Sequence, residues 1–476
     1  MKNNELIEKC SLGQSGENKR EKRYLKIPVS VVASIIGLTV VFTLLFTLTA
    51  CGFLFQNDGL SNLVGSGGTT NITIEDEDIP DYIKELIKLD YAFKENSYEG
   101  LDEEAMKTEI LKAYISATGD LYAEYMTPEE YEAFNSDSAG EFVGVGVSIV
   151  NSTVEINGYN YKVMQIISVF EDSPALENDL RVGDLIMYVG EGEDRKLVDV
   201  LGYTEALNLM LGEEGTQAKF TVFRPDSSTD IGYSEIEFSI TRRKVITESV
   251  KFRVSETNSK VGIVNVTGFD DTTPAQFTEA VDTLKANGCE YFVFDMRNNP
   301  GGSLYSIVEV LSYFLDSGDL IVTTEYTGGD KIEFYALPQP CKYYSTYKIP
   351  ATDIGKYKDL AGKSVVLTNG STASAAELFT ATFRDYEIAP IVGEKTFGKG
   401  CMQTIIDLKQ YYDMPGALRV TTAMYFSKSH TVYHEIGIVP DRTVELSEEA
   451  KEYNFFLLPE DKDNQLQAAI EALSIK

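Results

Sequence analysis

At 476 residues the chain exceeds one ordinary hydrophobic core, so two or three domains are expected. Apolar residues make up 43% and charged residues 24%, the balance of a folded globular chain rather than a disordered one. A formal charge of −32 speaks against a nucleic-acid partner, which requires a basic face, and suits a highly soluble ectodomain.

Residues 1–26 are polar and, with Lys19, Arg20, Lys22, Arg23 and Lys26, basic towards their end. Residues 27–55 then run for 29 positions without a charge, where about 20 suffice for a membrane-spanning helix. The basic flank predicts a cytoplasmic N-terminus, and hence a single-pass protein with everything after Gln56 outside the cell or organelle membrane, a cell membrane of bacterial type with an extracytoplasmic catalytic part being the localisation expected. Leu48-Thr-Ala-Cys51 also matches a lipoprotein cleavage box in which Cys51 would carry lipid. Against that, the leader before it is long and the apolar run continues to Phe55, which favours an uncleaved anchor. Both readings tether the chain to a membrane. Residues 56–75 read as a flexible linker rich in small polar residues.

From 76 to 139 the pattern is helical and acidic, and Thr127-Pro-Glu-Glu130 has the cap-then-proline chemistry of a helix start. From 140 to 243 the periodicity changes. Phe142 to Ile149 alternates glycine with β-branched residues, Tyr161 to Ile167 reads as a strand, and Asp172-Ser-Pro-Ala as a capped short helix. Tyr203 to Leu211 is amphipathic, and Gly215 to Arg224 reads as a closing strand. Ser173-Pro-Ala with Leu180-Arg-Val-Gly-Asp-Leu-Ile, followed by the Gly215-Thr strand, resembles a PDZ domain. The resemblance implies that Gly144, Val145, Gly146 and Val147 form the loop whose backbone N–H groups hold a peptide's C-terminal carboxylate, the peptide adding as a strand to the sheet edge. Alone, a Gly-x-Gly is no more than a bulged strand.

Residues 244–476 alternate strand and helix, as in an α/β layer with crossover helices. Three stretches carry unusual residues: Asp295-Met-Arg-Asn-Asn-Pro-Gly-Gly302, Leu367-Thr-Asn-Gly-Ser-Thr-Ala-Ser374, and Gly393-Glu-Lys-Thr-Phe-Gly-Lys-Gly-Cys-Met-Gln403. In the second, a strand, a turn of small residues and a helix opening on a serine can present a nucleophile beside free backbone N–H groups. The same Ser374-Ala-Ala-Glu377 fits a helix capping box, the commoner use of such residues. Gly393 to Lys399 satisfies a phosphate-cradling spacing, but Gly400 stands where Ser or Thr should bind Mg²⁺, which disfavours an NTPase. The five cysteines (Cys10, Cys51, Cys289, Cys341, Cys401) form no C-x-x-C pair. The two histidines, His430 and His434, are too few for a metal site and leave a Ser-His-Asp triad little choice of base, so neither a metal nor a cofactor is expected.

In this order, behind the PDZ-like segment, the three stretches resemble the C-terminal processing peptidases, the tail-specific serine peptidases of the S41 type. The likeness extends to Leu121-Tyr-Ala-Glu-Tyr-Met-Thr-Pro-Glu-Glu-Tyr131, Gly437-Ile-Val-Pro-Asp441 and Asp463-Asn-Gln-Leu-Gln-Ala-Ala469, about the last four hundred residues in all. It implies an α+β multidomain protein: a membrane helix, a helical module, a PDZ β-sandwich or barrel-like domain, and an α/β ClpP/crotonase-like protease core. It further implies Ser374 as nucleophile, Lys399 as general base, Gln403 as the residue orienting the lysine, and Gly301 and Ala375 N–H groups as oxyanion hole. Substrates would be proteins with apolar, unstructured C-terminal tails, and a homodimer is compatible with the reading. A lysine can replace histidine as base if an apolar pocket lowers its pKa, and Phe397 and Met402 are the sequence neighbours expected to dry it. Thr372 and Ala376 depart from a run usually richer in serine, leaving Ser371 and Thr372 as fallback nucleophiles. Lys395 is a rival base that lacks the glycine neighbours and the glutamine partner. The competing reading from another class is a catalytically silent PDZ scaffold.

Overall fold

The protease-like half is built on a six-stranded sheet. Its order is Val250–Val254, Val261–Val266, Tyr291–Asp295, Ser364–Thr368, Ile391–Gly393, Arg442–Thr443. The first pair is antiparallel and all the others are parallel. Parallel strands covered on both faces read as continuous apolar runs, as Tyr291-Phe-Val-Phe-Asp295 does. Phe292 and Phe294 enter an aromatic core with Phe277, Phe314, Phe379 and Phe383. Val293, one step along, points to the opposite face and packs with Val365, Leu367 and the C-terminal helix Asn464–Ala472 through Leu466 and Ala469. Helices Thr273–Ala286, Leu304–Ser312 and Ala375–Asp385 contribute to the aromatic face. The computed structural model describes residues 79–98, 100, 102–342 and 347–473.

Arg297 locks the C-terminal helix to this sheet. Its buried guanidinium bonds both oxygens of Asp295 (2.9 and 2.7 Å) and both oxygens of Asp463 (3.0 and 2.7 Å). Those two carboxylates hold the arginine charged despite its burial, in the paired and hydrogen-bonded form that a buried charge requires.

A second, antiparallel sheet stands beside the first and is organised by the long strand Ala417–Phe426. Cys401–Asp407 runs along it, while Leu320–Tyr326 pairs with its end and Glu124–Met126 with its start. The helical segment before the β-domain therefore contains a strand that belongs to the core. Helices Asp81–Asn96 and Glu103–Ser116 precede it, and Thr127 caps the helix Pro128–Ser138 through a capping box with Glu130.

Between these parts lies an antiparallel sheet of order Val147–Ile156, Tyr159–Val169, Leu185–Val189, Gln217–Pro225, Tyr233–Thr241. It packs Met164, Ile166, Ile186, Phe220 and Val222 into its own core with helix Tyr203–Met210. Two expectations change here. Phe142 to Ile149 is not one strand: Glu141–Gly144 pairs with Arg243–Ile246, and the chain turns at Val145-Gly146 before Val147–Ile156 pairs with Tyr159–Val169. The strand at Gln217–Pro225 does not close the sheet, because Tyr233–Thr241 follows it in antiparallel register. The chain is thus a mixed α/β protein. The tail, the apolar run 27–55, Cys51 and the linker lie outside the described residues. Among the described residues no helix is long and apolar enough to cross a membrane.

Candidate active site

Tyr291–Asp295, Ser364–Thr368 and Ile391–Gly393 are neighbours in the parallel sheet, and each of the three unusual stretches leaves the carboxyl end of one of them. Adjacent parallel strands deliver their C-terminal loops to one place, the usual crevice for ligands in open α/β sheets. Sheet order therefore gathers residues separated by about a hundred positions in sequence.

Ser374 sits at the turn into helix Ala375–Asp385 with φ 56° and ψ −120°, a conformation sparsely populated by side-chain-bearing residues. The fold sustains it with Glu377: the Ser374 N–H donates to Glu377 Oε2 (3.0 Å). The Glu377 N–H donates to the Ser374 carbonyl (2.9 Å), so the serine hydroxyl is not spent on capping. It lies instead against the Tyr425 hydroxyl.

Glu377 is wholly buried and does more than cap. Its Oε2 also accepts the Lys399 N–H (2.7 Å), while Oε1 accepts the Gly398 N–H (2.7 Å) and the Thr396 hydroxyl (2.5 Å). One carboxylate oxygen thus holds the backbones of both Ser374 and Lys399. Tyr425 adds a second tie by donating to the Lys399 carbonyl (2.6 Å). Burial pushes the Glu377 carboxyl up, and the bonds from Thr396, Lys399, Gly398 and Ser374 oppose it.

Lys399 is half-buried, and desolvation lowers its amine below the ordinary lysine range. The source of that burial differs from the expectation. Phe397 is 57% exposed and shields nothing, whereas the Tyr122 ring stands 4.6 Å from Nζ and the buried Cys401 lies beside it. Gln403 is in the neighbouring strand, after a bulge between Met402 and Gln403, and its amide donates to Cys401 Sγ (3.3 Å) and Thr421 Oγ1 (3.2 Å).

Gly301 packs directly under the nucleophile. Its φ is +103°, and a Cβ there would lie 2.6 Å from Ser374 Cβ and 2.8 Å from Ala375 N, so only glycine fits. Gly301 and Ala375 are brought together, with the Gly301 N–H donating to Asn299 Oδ1 (2.8 Å). The fallback nucleophile Thr372 is committed elsewhere: its hydroxyl donates to Met296 O (2.8 Å) and accepts the Asn369 N–H (3.0 Å). Lys395 is exposed. The loop after Gly393 runs into strand Cys401–Asp407 rather than a helix, so it lacks the helix N-terminus of a phosphate loop. In the β-domain, Gly144 ends its strand, Val145 is buried, and a Cβ on Gly146 (φ +84°) would lie 2.3 Å from Ser173 Cβ, so Gly146 must be glycine.

In the sequence Glu377 is legible only as a cap: its i+3 spacing from Ser374 is visible, its grip on the 396–399 loop is not. Tyr425 carried no sequence signal, and Tyr122 was one letter in a longer matching stretch.

Comparison with known proteins points to a peptidase family. The model of peptidase family S41 matches residues 260–444. "Carboxy-terminal processing protease CtpA" of Bacillus subtilis (strain 168) is 29% identical over 367 residues, covering 77% of this chain and 68% of that protein. "Probable CtpA-like serine protease" of Staphylococcus aureus (strain MRSA252) is 27% identical over 442 residues, covering 93% and 77%. A solved structure from Bacteroides fragilis NCTC 9343 assigned to the S41 proteases shares the fold, with TM-score 0.51, 16% identity, and 76% of this chain matched to 90% of that one. Residues 260–444 match peptidase family S41, the chain is a serine-type peptidase, and the relatives it resembles are named carboxy-terminal processing proteases.

Proposed function

We propose that this chain is a membrane-tethered endopeptidase that works with a Ser374–Lys399 dyad and captures the C-terminal tail of its substrate in a PDZ domain. The carrying observation is the shared carboxylate oxygen of Glu377, which ties the backbones of Ser374 and Lys399 to one point. A serine hydroxyl needs a base, and a lysine whose amine is depressed by burial gives up its proton more readily than an ordinary lysine and so can serve as one. Nζ takes the Oγ proton as Oγ bonds to the scissile carbonyl carbon. The oxyanion accepts the Ala375 N–H, and the Gly301 N–H joins once it turns from Asn299; each such donor contributes about 3 kcal/mol. The C–N bond then breaks as Nζ returns the proton to the leaving amine. Water then attacks the acyl carbon as Nζ takes its proton, and the acyl–Oγ bond breaks as Nζ returns that proton to Oγ. Gln403 steadies this side of the site through Cys401 and Thr421.

Support for tail capture comes from the β-domain. Val147–Ile156 is an edge strand, which leaves one row of backbone groups for an added peptide strand. Gly144 to Val147 lies at the start of that edge, and helix Tyr203–Met210 flanks it, with the Tyr203 hydroxyl donating to Ile149 O (3.2 Å). The core is read as ClpP/crotonase-like, and the uncharged run 27–55 as the anchor that places it outside the cytoplasm.

The test is incubation of the full-length protein with an unfolded protein ending in apolar residues. Ser374→Ala and Lys399→Ala are each expected to abolish cleavage while leaving the thermal unfolding transition cooperative. Full activity in either variant removes the dyad. Tail binding without cleavage by the unmodified protein would leave only a peptide-binding scaffold.

A further inference from the structure

An aromatic ring stands over the base. Tyr122 belongs to the turn between helix Glu103–Ser116 and strand Glu124–Met126, far in sequence from the catalytic loops, yet its ring centroid is 4.6 Å from Lys399 Nζ. Three ties seat that turn on the strand Ala417–Phe426. The Asp120 carboxylate accepts the Thr421 N–H and hydroxyl, both at 2.9 Å, and also the Tyr122 N–H at 3.0 Å. Arg419 Nε donates to the Tyr122 carbonyl (3.3 Å), and the same guanidinium pairs with Glu124 (2.7 Å). Glu124 is also the strand partner of Arg419. The Thr421 hydroxyl that bonds Asp120 receives the Gln403 amide, so one turn reaches both Lys399 and Gln403.

The face of an aromatic ring favours a cation over a neutral amine. Lys399 begins the reaction neutral and becomes an ammonium as it takes the serine proton. A ring at this distance therefore stabilises the transition state more than the ground state, the differential that accelerates a step. The other charged or titratable groups facing Nζ are the Cys401 thiol, the Arg419 guanidinium and the Glu377 carboxylate; those facing Tyr122 are Cys401, Glu377, Glu435 and Asp120.

We propose that Tyr122 is a positioning residue for the base: its ring fixes Lys399 Nζ and stabilises the ammonium formed on proton transfer, and Asp120 fixes the ring. The inference rests on Lys399 being the base. The test compares pH profiles of cleavage of an unstructured peptide with an apolar C-terminus by full-length wild type, Tyr122→Phe, Tyr122→Leu, Tyr122→Met and Lys399→Ala. Without the π face the ammonium is less favoured. In Tyr122→Leu the acid limb of kcat/KM should move down by about half a pH unit and plateau kcat should fall about threefold, with KM unchanged. Tyr122→Phe should match wild type in both. Tyr122→Met keeps bulk without a ring and gives the same reading should leucine unsettle the turn. An unmoved acid limb in Leu and Met, or a Phe variant as impaired as they are, overturns the role of Tyr122. Activity retained by Lys399→Ala overturns the base assignment itself, and the proposal with it.

Discussion

At the scale of the residue, Lys399 shows how this site trades stability for reactivity. Burial depresses its amine below the ordinary lysine value of 10.5 that an unfolded chain would show. The unfolded state then binds more protons over the window between the two values, so stability rises with pH across it. Below the folded pKa the lysine is charged in both states and the full cost of burying an ammonium is present; above 10.5 it is absent. Lys399→Met should therefore abolish activity yet raise Tm at pH values below the folded pKa, with the gain shrinking as pH rises through the window towards the ordinary lysine value. Urea or thermal unfolding of both proteins across that range measures it, and a gain independent of pH would show packing rather than charge at work. The strained Ser374 dihedrals belong to the same trade, since a residue persists there only where its surroundings over-determine it.

At the scale of the element, the helix Ala375–Asp385 and the 394–400 loop work as one unit because Glu377 joins them. A buried carboxylate accepting four donors is costly to imitate, since every donor left unpaired loses about 1–3 kcal/mol. Glu377→Gln offers one acceptor oxygen where two are used. It should lower kcat at least tenfold with KM little changed, because misplacement of reacting groups by a fraction of an ångström is felt in the chemical step. Steady-state kinetics on a tail peptide decide it; an unchanged kcat would mean that Tyr425 alone suffices to hold the base loop. The element logic also explains why the bulged strand Cys401–Asp407 matters: it carries Gln403 next to Thr421 and so next to Asp120.

At the scale of the whole molecule, the β-domain sits in sequence between the two parts of one active site. Asp120 and Tyr122 lie before it, and Ser374 and Lys399 after it. The strand Glu141–Gly144 leaves the first part and Arg243–Ile246, its partner, returns to the second. If the Gly144–Val147 loop captures a tail as proposed, a peptide bound there would be placed to bias both parts at once, and activation would be a population shift between arrangements of the site. A non-cleavable tail peptide should raise the rate of cleavage of a separate, tail-less substrate at subsaturating concentration. No change in rate would reduce the domain to a tether for substrate.

The sequence by itself determined the local chemistry. Small residues at Pro300-Gly-Gly302, a serine at a helix start, a lysine among glycines and too few histidines are each statements about residue type, and residue type is what sequence records. Strand and helix periods likewise mark the α/β layer with crossover helices, because alternation and apolar runs follow from which faces are covered. Tertiary structure alone decided who meets whom. That Tyr122 caps Lys399 depends on Glu124–Met126 joining a strand about three hundred residues later, and no periodicity encodes a pairing over that distance. That Glu377 grips two loops depends on Ser364–Thr368 lying beside Ile391–Gly393 in the sheet. And Phe397, apolar and adjacent to the base in sequence, faces solvent, because nearness along a chain fixes a residue's position without fixing what covers it.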